Sequence, residues 1–363
     1  MFGKHSNSEQ GASRHVLLTG ASSFTGMHIA SALAEAGVHV TCTMTRGSAD
    51  AYDAASPADA PRSARVKLLC ELEAQGRVRL VWGCRFGDEA FIRLINDTRP
   101  SLLCHHAADV TDYKSPTFDW ARAVANNTAN LHEVLTAFQN AGGRGVVLTG
   151  SVFEGGEGAG SEGLPHFSPY GLSKALTAEA FRFECHRVGL RLGKFVIPNP
   201  FGPLEEPRFT AYLLRTWLKG ETARVQTPDY VRDNIHVDLL ARCYAGFCDA
   251  IAAERPDDAQ TIMRGRERGP GSWALSPSGY AEPQGQFARR YAAEVGPRLS
   301  ALLGRDLACG VEFGTQTEFA EPRVRIGLDP AVSLNTASNW SEADAWQLAA
   351  SDAAERFAGA PAR

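Results

Sequence analysis

The chain has 363 residues, 44% of them hydrophobic and 21% charged, with a formal net charge of −4. This composition is globular and excludes a disordered or collagen-like chain, and the charge gives no electrostatic case for nucleic acid or for an anionic membrane as partner. Its eight cysteines (42, 70, 84, 104, 185, 243, 248 and 309) form no CxxC pair or metal-ligand spacing, no apolar run reaches the ~20 residues of a membrane span, and no signal-peptide core precedes residue 14, so a metal-free cytoplasmic protein is expected.

Residues 1–13 read as a flexible tail. The apolar run His15-Val-Leu-Leu-Thr19 predicts a first strand, followed by a helix from about Gly26 to Ala36 with Gly37 as its C-cap and a second strand over 38–45. Residues 47–64, rich in Ala, Asp, Ser and Pro, read as an exposed insertion. Further alternation follows: helix 65–75, strand 77–83, a helix near 88–97, strand 101–104, helix 117–141 and strand 145–149. Strands alternating with helices predict a parallel sheet covered on both faces.

Beyond residue 150 the pattern changes. The glycine-rich stretch 154–163 reads as mobile, helix 170–188 is long and amphipathic, and strand 191–197 returns to the sheet. From about residue 200, Pro and Gly interrupt short elements. Among them is a helix at 208–219, whose Phe209, Tyr212 and Trp217 read as packing residues. Residues 264–285 look like loop, and 340–357 like a closing amphipathic helix. The expected architecture is α/β, a Rossmann-type doubly wound parallel sheet over 14–198. A smaller C-terminal α/β lobe for substrate covers 199–363, with some segments returning to the core.

The turn Thr19-Gly-Ala-Ser-Ser-Phe-Thr-Gly26 joins the first strand to the first helix. Gly20 suits a tight turn with positive φ, and Gly26 allows the helix to lie close to the strand. Free N–H groups at the helix start would take a cofactor pyrophosphate, with Ser22, Ser23, Phe24 and Thr25 around it. Ser23 stands where the dinucleotide fingerprint has its middle glycine. At the end of the second strand, the fingerprint logic of NAD expects an acid about 20 residues on; the chain has Thr45 and Arg46. A guanidinium suits a 2′-phosphate, which favours NADP(H) over NAD(H), the alternative being a solvated loop arginine.

Ser168-Pro-Tyr170-Gly-Leu-Ser-Lys174 opens the long helix and sets Tyr170 and Lys174 one turn apart. A phenol has an ordinary pKa of about 10. A neighbouring ammonium is expected to bring it towards neutrality, so that Tyr170 works as a general acid/base. Thr149 ends a buried strand, where the carboxyl ends of parallel strands line the active crevice. Its hydroxyl would bond the substrate oxygen; Ser151, two residues on, is the competing candidate.

These motifs resemble, in order, the extended short-chain dehydrogenase/reductases that act on nucleotide sugars. The carriers are TGASSFTG at 19–26, HHAA at 105–108, Thr149 followed by VFEG, YGLSK at 170–174, NPFGP at 199–203 and RDNIHVD at 232–238. The likeness spans roughly residues 14–240. It implies a Thr149/Tyr170/Lys174 triad, with Tyr170 and Lys174 also touching the cofactor and Lys174 holding the nicotinamide ribose. It implies cofactor contacts from the backbone of His105, His106, Ala107 and Ala108 and from Ile197. It also implies substrate contacts from Ser151, from Asn199 through its amide, and from Arg232 as a clamp on the nucleotide diphosphate. The alternative for Arg232 is an ion pair with Asp229 or Asp233. A homodimer built on helices 117–141 and 170–188 is a further implication.

Two departures matter. Sugar 4,6-dehydratases of this family carry an acidic pair after the threonine, whereas this chain has Gly150 and Ser151, with Glu154 nearby. The usual asparagine of the helix before the central strand is replaced by Val124, with Asn126 and Asn127 adjacent. The expected activity is therefore NAD(P)-dependent hydride transfer on a nucleotide-linked sugar. A ketoreductase is slightly favoured, with an epimerase holding resident NAD as the alternative. A non-catalytic cofactor-binding scaffold is disfavoured by the intact triad.

Overall fold

The computed structural model describes residues 14–53, 59–160, 165–254, 256–334 and 340–357. The expected tail, 1–13, lies outside them. Five largely buried strands set the frame: β1 (His15–Thr19), β2 (His39–Met44, exposed only at its first residue), β4 (Leu102–His105), β5 (Gly145–Ser151, half-buried only at its last) and, beside them, β6 (Arg191–Ile197, half-buried at three positions). With β3 (Val78–Trp82), β10 (Arg266–Gly269) and β11 (Ser272–Leu275) they form an eight-stranded sheet. Its order is β10-β11-β6-β5-β4-β1-β2-β3, parallel except for the edge strand β10. Strands covered on both faces need apolar side chains in both directions, which is why VLL and LLC run without alternation.

Helices α1 (Phe24–Glu35), α2 (Ala60–Ala74) and α8 (Val237–Ala252) cover one face; α3 (Glu89–Thr98), α5 (Leu131–Asn140) and α6 (Pro169–Val188) cover the other. The chain reverses between β1 and β4, so the crevice at the carboxyl ends of these strands lies at the topological switch point. A third core, with Phe201, Trp217, Phe287, Tyr291 and Trp346, joins α7 (Phe209–Leu218), α10 (Gln284–Leu303) and α11 (Glu342–Phe357). A small sheet links it to the crevice. In it β9 (Val231–His236) pairs with β7 (Asn199–Phe201), with Tyr280–Pro283 and with Val324–Arg325.

Several sequence expectations are corrected. The insertion at 47–64 is not wholly exposed: Tyr52 is buried in a short 3-10 turn and α2 already starts at Ala60 with Pro61 and Ser63 buried. The single helix 117–141 is two, α4 (Trp120–Asn127) and α5, broken at Asn130, which takes a left-handed φ of 49° and donates from Nδ2 to the Gly87 carbonyl at 2.8 Å. Residues 264–285 are strand-rich rather than loop. Charged Arg266-Glu-Arg on an edge strand carries no alternation to read. The C-terminal half also holds two long helices, α8 and α10, where short interrupted elements were expected. The described part of 154–163 is anchored: Ala159 exchanges backbone hydrogen bonds with Ile326, donating at 2.8 Å and accepting at 3.0 Å.

Candidate active site

Gly20, at φ +76°, packs so closely that a Cβ there would lie 2.7 Å from the Ala107 nitrogen; one on Gly26 would meet the Gly20 carbonyl oxygen at 2.2 Å. The two glycines thus let the turn lie against β4 and α1 against the turn. Ser23 replaces a third glycine without disrupting this, because its hydroxyl caps α1, accepting from the Gly26 N–H at 3.1 Å. The N–H groups of Phe24 and Thr25, in the same first turn, have no intrahelical acceptor by position. Arg65, buried, ties the turn to the C-terminal half by donating to the carbonyls of Ser22 and Leu204 and to Glu206.

His106 was expected to contribute backbone, yet its side chain is the hub of the crevice. One ring nitrogen, Nδ1, lies 2.8 Å from the Thr149 hydroxyl, and the other, Nε2, lies 2.9 Å from Thr25 Oγ1 and 3.1 Å from Ser23 Oγ. Burial, and then the charge of Lys174, push its pKa down to about 3, so the imidazole is neutral. Its neighbour Ala107 donates its N–H to Thr19 Oγ1 at 3.0 Å, and Ala108 is half-buried beside it. The crevice therefore links the glycine-rich turn to Thr149 through one neutral ring.

Lys174 is buried and donates from Nζ to the Thr149 carbonyl at 2.5 Å. Tyr170 lies one turn earlier on α6, whose N-terminus is set by Ser168 accepting from the Gly171 N–H and by Pro169 in the first turn. Its ring is surrounded by Tyr113, Phe118 and Phe153, with centroids 5.2, 6.2 and 6.3 Å away. The expectation that Lys174 lowers the phenol is corrected. Burial first, then the Glu154 charge and Tyr113, push it above its ordinary value, with Arg208 pulling the other way. Tyr170 is thus a protonated donor at neutral pH.

The charge of Glu154 acts on both members of this pair, raising the pKa of each. Fully buried, Glu154 accepts from the Ser151 N–H at 2.7 Å and pairs with Lys194 at 2.6 Å; Lys194 also pairs with Glu157 at 2.8 Å, and Glu157 with Arg268 at 3.1 Å. Ser151 and Ile197 end neighbouring strands in register, both half-buried. The Ser151 hydroxyl is engaged by the Phe153 N–H at 3.2 Å, which leaves Thr149 as the hydroxyl joined to His106.

The substrate-side residues are less gathered. Asn199 is half-buried at the start of β7, opposite Asn234. Arg232 is buried, donates to the carbonyls of Val231, Pro322 and Arg323, pairs with Glu321 at 3.1 Å and covers the Tyr230 ring. Its carboxylate partner is therefore neither Asp229 nor Asp233. Asp233 instead accepts the N–H groups of Gly279 and Gly327. Arg46 donates to the Ala51 carbonyl and lies over the Tyr52 ring at 4.8 Å.

The sequence reading passed over Tyr113, Phe118 and Lys194, and named Asn127 only as a neighbour of Val124. Asn127 is buried, accepts from the Asp109 N–H at 2.8 Å and donates to Thr177 at 3.3 Å, bracing the β4 loop against α6. The paired asparagines 126 and 127 were the signal for it.

Lys174 gives the site a pH signature. Desolvation pushes it from 10.5 down to about 8, Glu154 opposing and Lys194 adding to the fall. Between these values the unfolded chain holds a proton that the folded chain has released, so this group's contribution to stability rises with pH. We expect Lys174→Met to remove a rise on the order of a few kcal/mol at most, read as the difference in urea-unfolding stability between pH 8 and pH 10. An unchanged slope in the variant would mean that Lys174 keeps its proton to its ordinary range.

The sequence model of the NAD dependent epimerase/dehydratase family matches residues 16–260. No curated protein matches the chain. Among solved structures, UDP-glucuronic acid 4-epimerase from Bacillus cereus, in complex with UDP-glucuronic acid and NAD, is similar at a TM-score of 0.64 and 16% identity, covering 94% of this chain and 99% of that one. UDP-glucose 4-epimerase from Thermotoga maritima with UDP-glucose gives 0.61 and 18%, covering 93% and 98%. UDP-N-acetylglucosamine 4-epimerase from Methanobrevibacter ruminantium, in complex with UDP-N-acetylmuramic acid, gives 0.63 and 15%, covering 96% and 99%. At these identities the likeness is one of fold.

Proposed function

Because the chain belongs to the NAD-dependent epimerase/dehydratase family, we propose that it is an NAD(P)-dependent enzyme moving a hydride at a carbon of a nucleotide-linked sugar, working as a ketoreductase. The observation that carries this reading is the convergence of Thr149, His106 and Lys174 on one crevice beside the first turn of α1. The residues fit a dinucleotide. The two unclaimed amides of Phe24 and Thr25 face the place of a pyrophosphate, and Lys174, a buried ammonium with three protons, spends one on the Thr149 carbonyl. When bound, a nicotinamide dinucleotide supplies the hydride.

The chain's own residues do the rest. Tyr170, protonated at neutral pH, donates its proton to the sugar ketone oxygen as that oxygen gains charge. Thr149 donates to the same oxygen, its hydroxyl held in place by the His106 ring. Lys174 orients the ribose, and the charge of Arg208 favours the phenolate that Tyr170 becomes. Asn199 holds the sugar or phosphate through its amide. Arg232 serves the diphosphate by exchanging Glu321 for it, a trade that a guanidinium makes with little loss because both partners accept its paired donors. With Gly150 and Ser151 after Thr149, no acidic pair stands ready for elimination of water. A homodimer through α4 and α6 completes the reading. Trp120, Leu176 and Phe183 are exposed there, and light scattering that gives a monomer would remove it.

The second reading, an epimerase, draws on the NAD and UDP-sugars in the neighbours' crystals. In it the same side chains first take and then return the proton, with no net change of cofactor. Gentle purification, denaturation and mass spectrometry of the released nucleotide separate the two. Stoichiometric NAD+ selects the epimerase. A stripped site that binds NADPH better than NADH selects the reductase, and a chain that binds neither loses both readings.

A further inference from the structure

We infer that Arg62, with Arg46 and Ser22, forms a two-armed site for the 2′-phosphate of the dinucleotide; this rests on the cofactor reading of the glycine-rich turn. The sequence singles out Arg46 alone. The fold brings a second guanidinium to the same place from α2, whose first turn lies within the supposed insertion.

Tyr52 is the pivot. It is buried, its ring lies 6.2 Å from that of Trp82, and its hydroxyl accepts from the Arg46 N–H at 3.2 Å and lies 3.3 Å from Thr45 Oγ1. The end of β2 is thereby fixed to this ring. Arg46 and Arg62 both lie on it, with guanidinium carbons 4.8 and 5.2 Å from the centroid. Two guanidinium groups thus stack on one aromatic ring at the end of β2. Arg62 also points back at the turn: Nη2 donates to Ser22 Oγ at 3.3 Å.

Arg65, one turn later on α2, is the internal control. Its Nε and both Nη groups are spent on Ser22, Leu204 and Glu206, so it is scaffold. Arg62, by contrast, keeps a buried Nε with no hydrogen-bond partner among the described residues, a donor that a native structure seldom strands without a ligand. The acids of the intervening loop, Asp50, Asp53 and Asp59, are exposed. What collects at the end of β2 is therefore two guanidinium forks and a hydroxyl. That set suits a group of roughly −1.5 to −2 charge with three acceptor oxygens. The pyrophosphate is served elsewhere, by the first turn of α1. The phosphate that lies beyond it, at the end of the second strand, is the one on the adenosine ribose 2′ position.

Calorimetry on the full chain, stripped of nucleotide, tests this with 2′,5′-ADP, 5′-ADP and inorganic phosphate. The wild type is expected to bind 2′,5′-ADP about 100-fold more tightly than 5′-ADP, each charge-assisted contact contributing about tenfold or more. Arg62→Gln should weaken 2′,5′-ADP by about 10- to 30-fold and 5′-ADP by less than about threefold. Arg62→Lys, which keeps the charge and loses the fork, should fall between, and it replaces the Gln variant if that fails to fold in a thermal melt. Tight 5′-ADP binding with no gain from the 2′-phosphate overturns the inference and leaves the cofactor reading standing. Equal weakening of both ligands by Arg62→Gln overturns it as well, making Arg62 a prop for the turn. Inorganic phosphate matching 2′,5′-ADP would make this a free-anion site and overturn it. Failure of both nucleotides to bind takes down the cofactor reading with it.

Discussion

Tyr170→Phe is expected to lower turnover by about 10² to 10⁴ while leaving dinucleotide affinity within about twofold. The substitution removes one oxygen and keeps the ring among Tyr113, Phe118 and Phe153, so packing around the start of α6 is preserved. Loss of rate therefore reports on the proton alone. The direction of chemistry follows from the same environment. Burial and the Glu154 charge hold the phenol protonated at neutral pH, so the resting residue is ready to give a proton to a ketone oxygen and must first lose one to oxidise an alcohol. For reduction of a panel of nucleotide-linked keto sugars with NADPH, the wild type should be flat through pH 6–8 as far as Tyr170 is concerned. Steady-state rates and calorimetric NADPH affinity for both proteins check this. Retention of most of the rate in Tyr170→Phe would reduce Tyr170 to a wall of the aromatic cage and move the proton to another donor.

The sheet and the turn were legible because they are built on local rules. Uninterrupted VLL and LLC report burial on both faces, and a glycine with positive φ followed by one in close packing reports a strand–helix turn. The pair at 170 and 174 was legible by helical spacing. What stayed hidden is everything fixed by distant segments. The break at Asn130 depends on a hydrogen bond to Gly87, 43 positions away. Strand β10 is an edge strand of Arg-Glu-Arg that only its pairing partner defines. The electrostatics were misread for the same reason. The cation one turn from Tyr170 is visible in the sequence, but the burial and the Glu154 charge that push the phenol up are not. Arg62 was lost in a stretch whose Ala, Pro and Ser suggest loop, because Pro in a first helical turn looks like any other proline until the turn after it is seen.

Lys194→Met should cost about 3–5 kcal/mol of folding stability near neutral pH, the largest effect expected of a substitution outside the crevice itself. The side chain stands on β6 between two buried carboxylates, 2.6 Å from Glu154 and 2.8 Å from Glu157. Glu157 retains Arg268 when Lys194 is lost, but among the described residues Glu154 keeps only the Ser151 N–H. A stranded buried carboxylate takes up a proton where it can. The folded variant thus binds protons that the unfolded chain has released, and its stability falls as pH rises above the ordinary carboxylate range. The deficit against wild type should accordingly be smaller at pH 5 than at pH 8 in urea unfolding. Adding Glu154→Gln should recover much of it, because the second change removes the charge left behind. The same cycle reaches the active site, since Glu154 raises both Tyr170 and Lys174. In Glu154→Gln alone the Lys174 transition should move further down, its opposing charge gone while Lys194 stays. A Lys194→Met variant as stable as wild type at pH 8 would mean that water or a rearranged Arg268 neutralises Glu154. The pair would then be a consequence of the crevice's shape, and the tuning of Lys174 would have to be sought in burial alone.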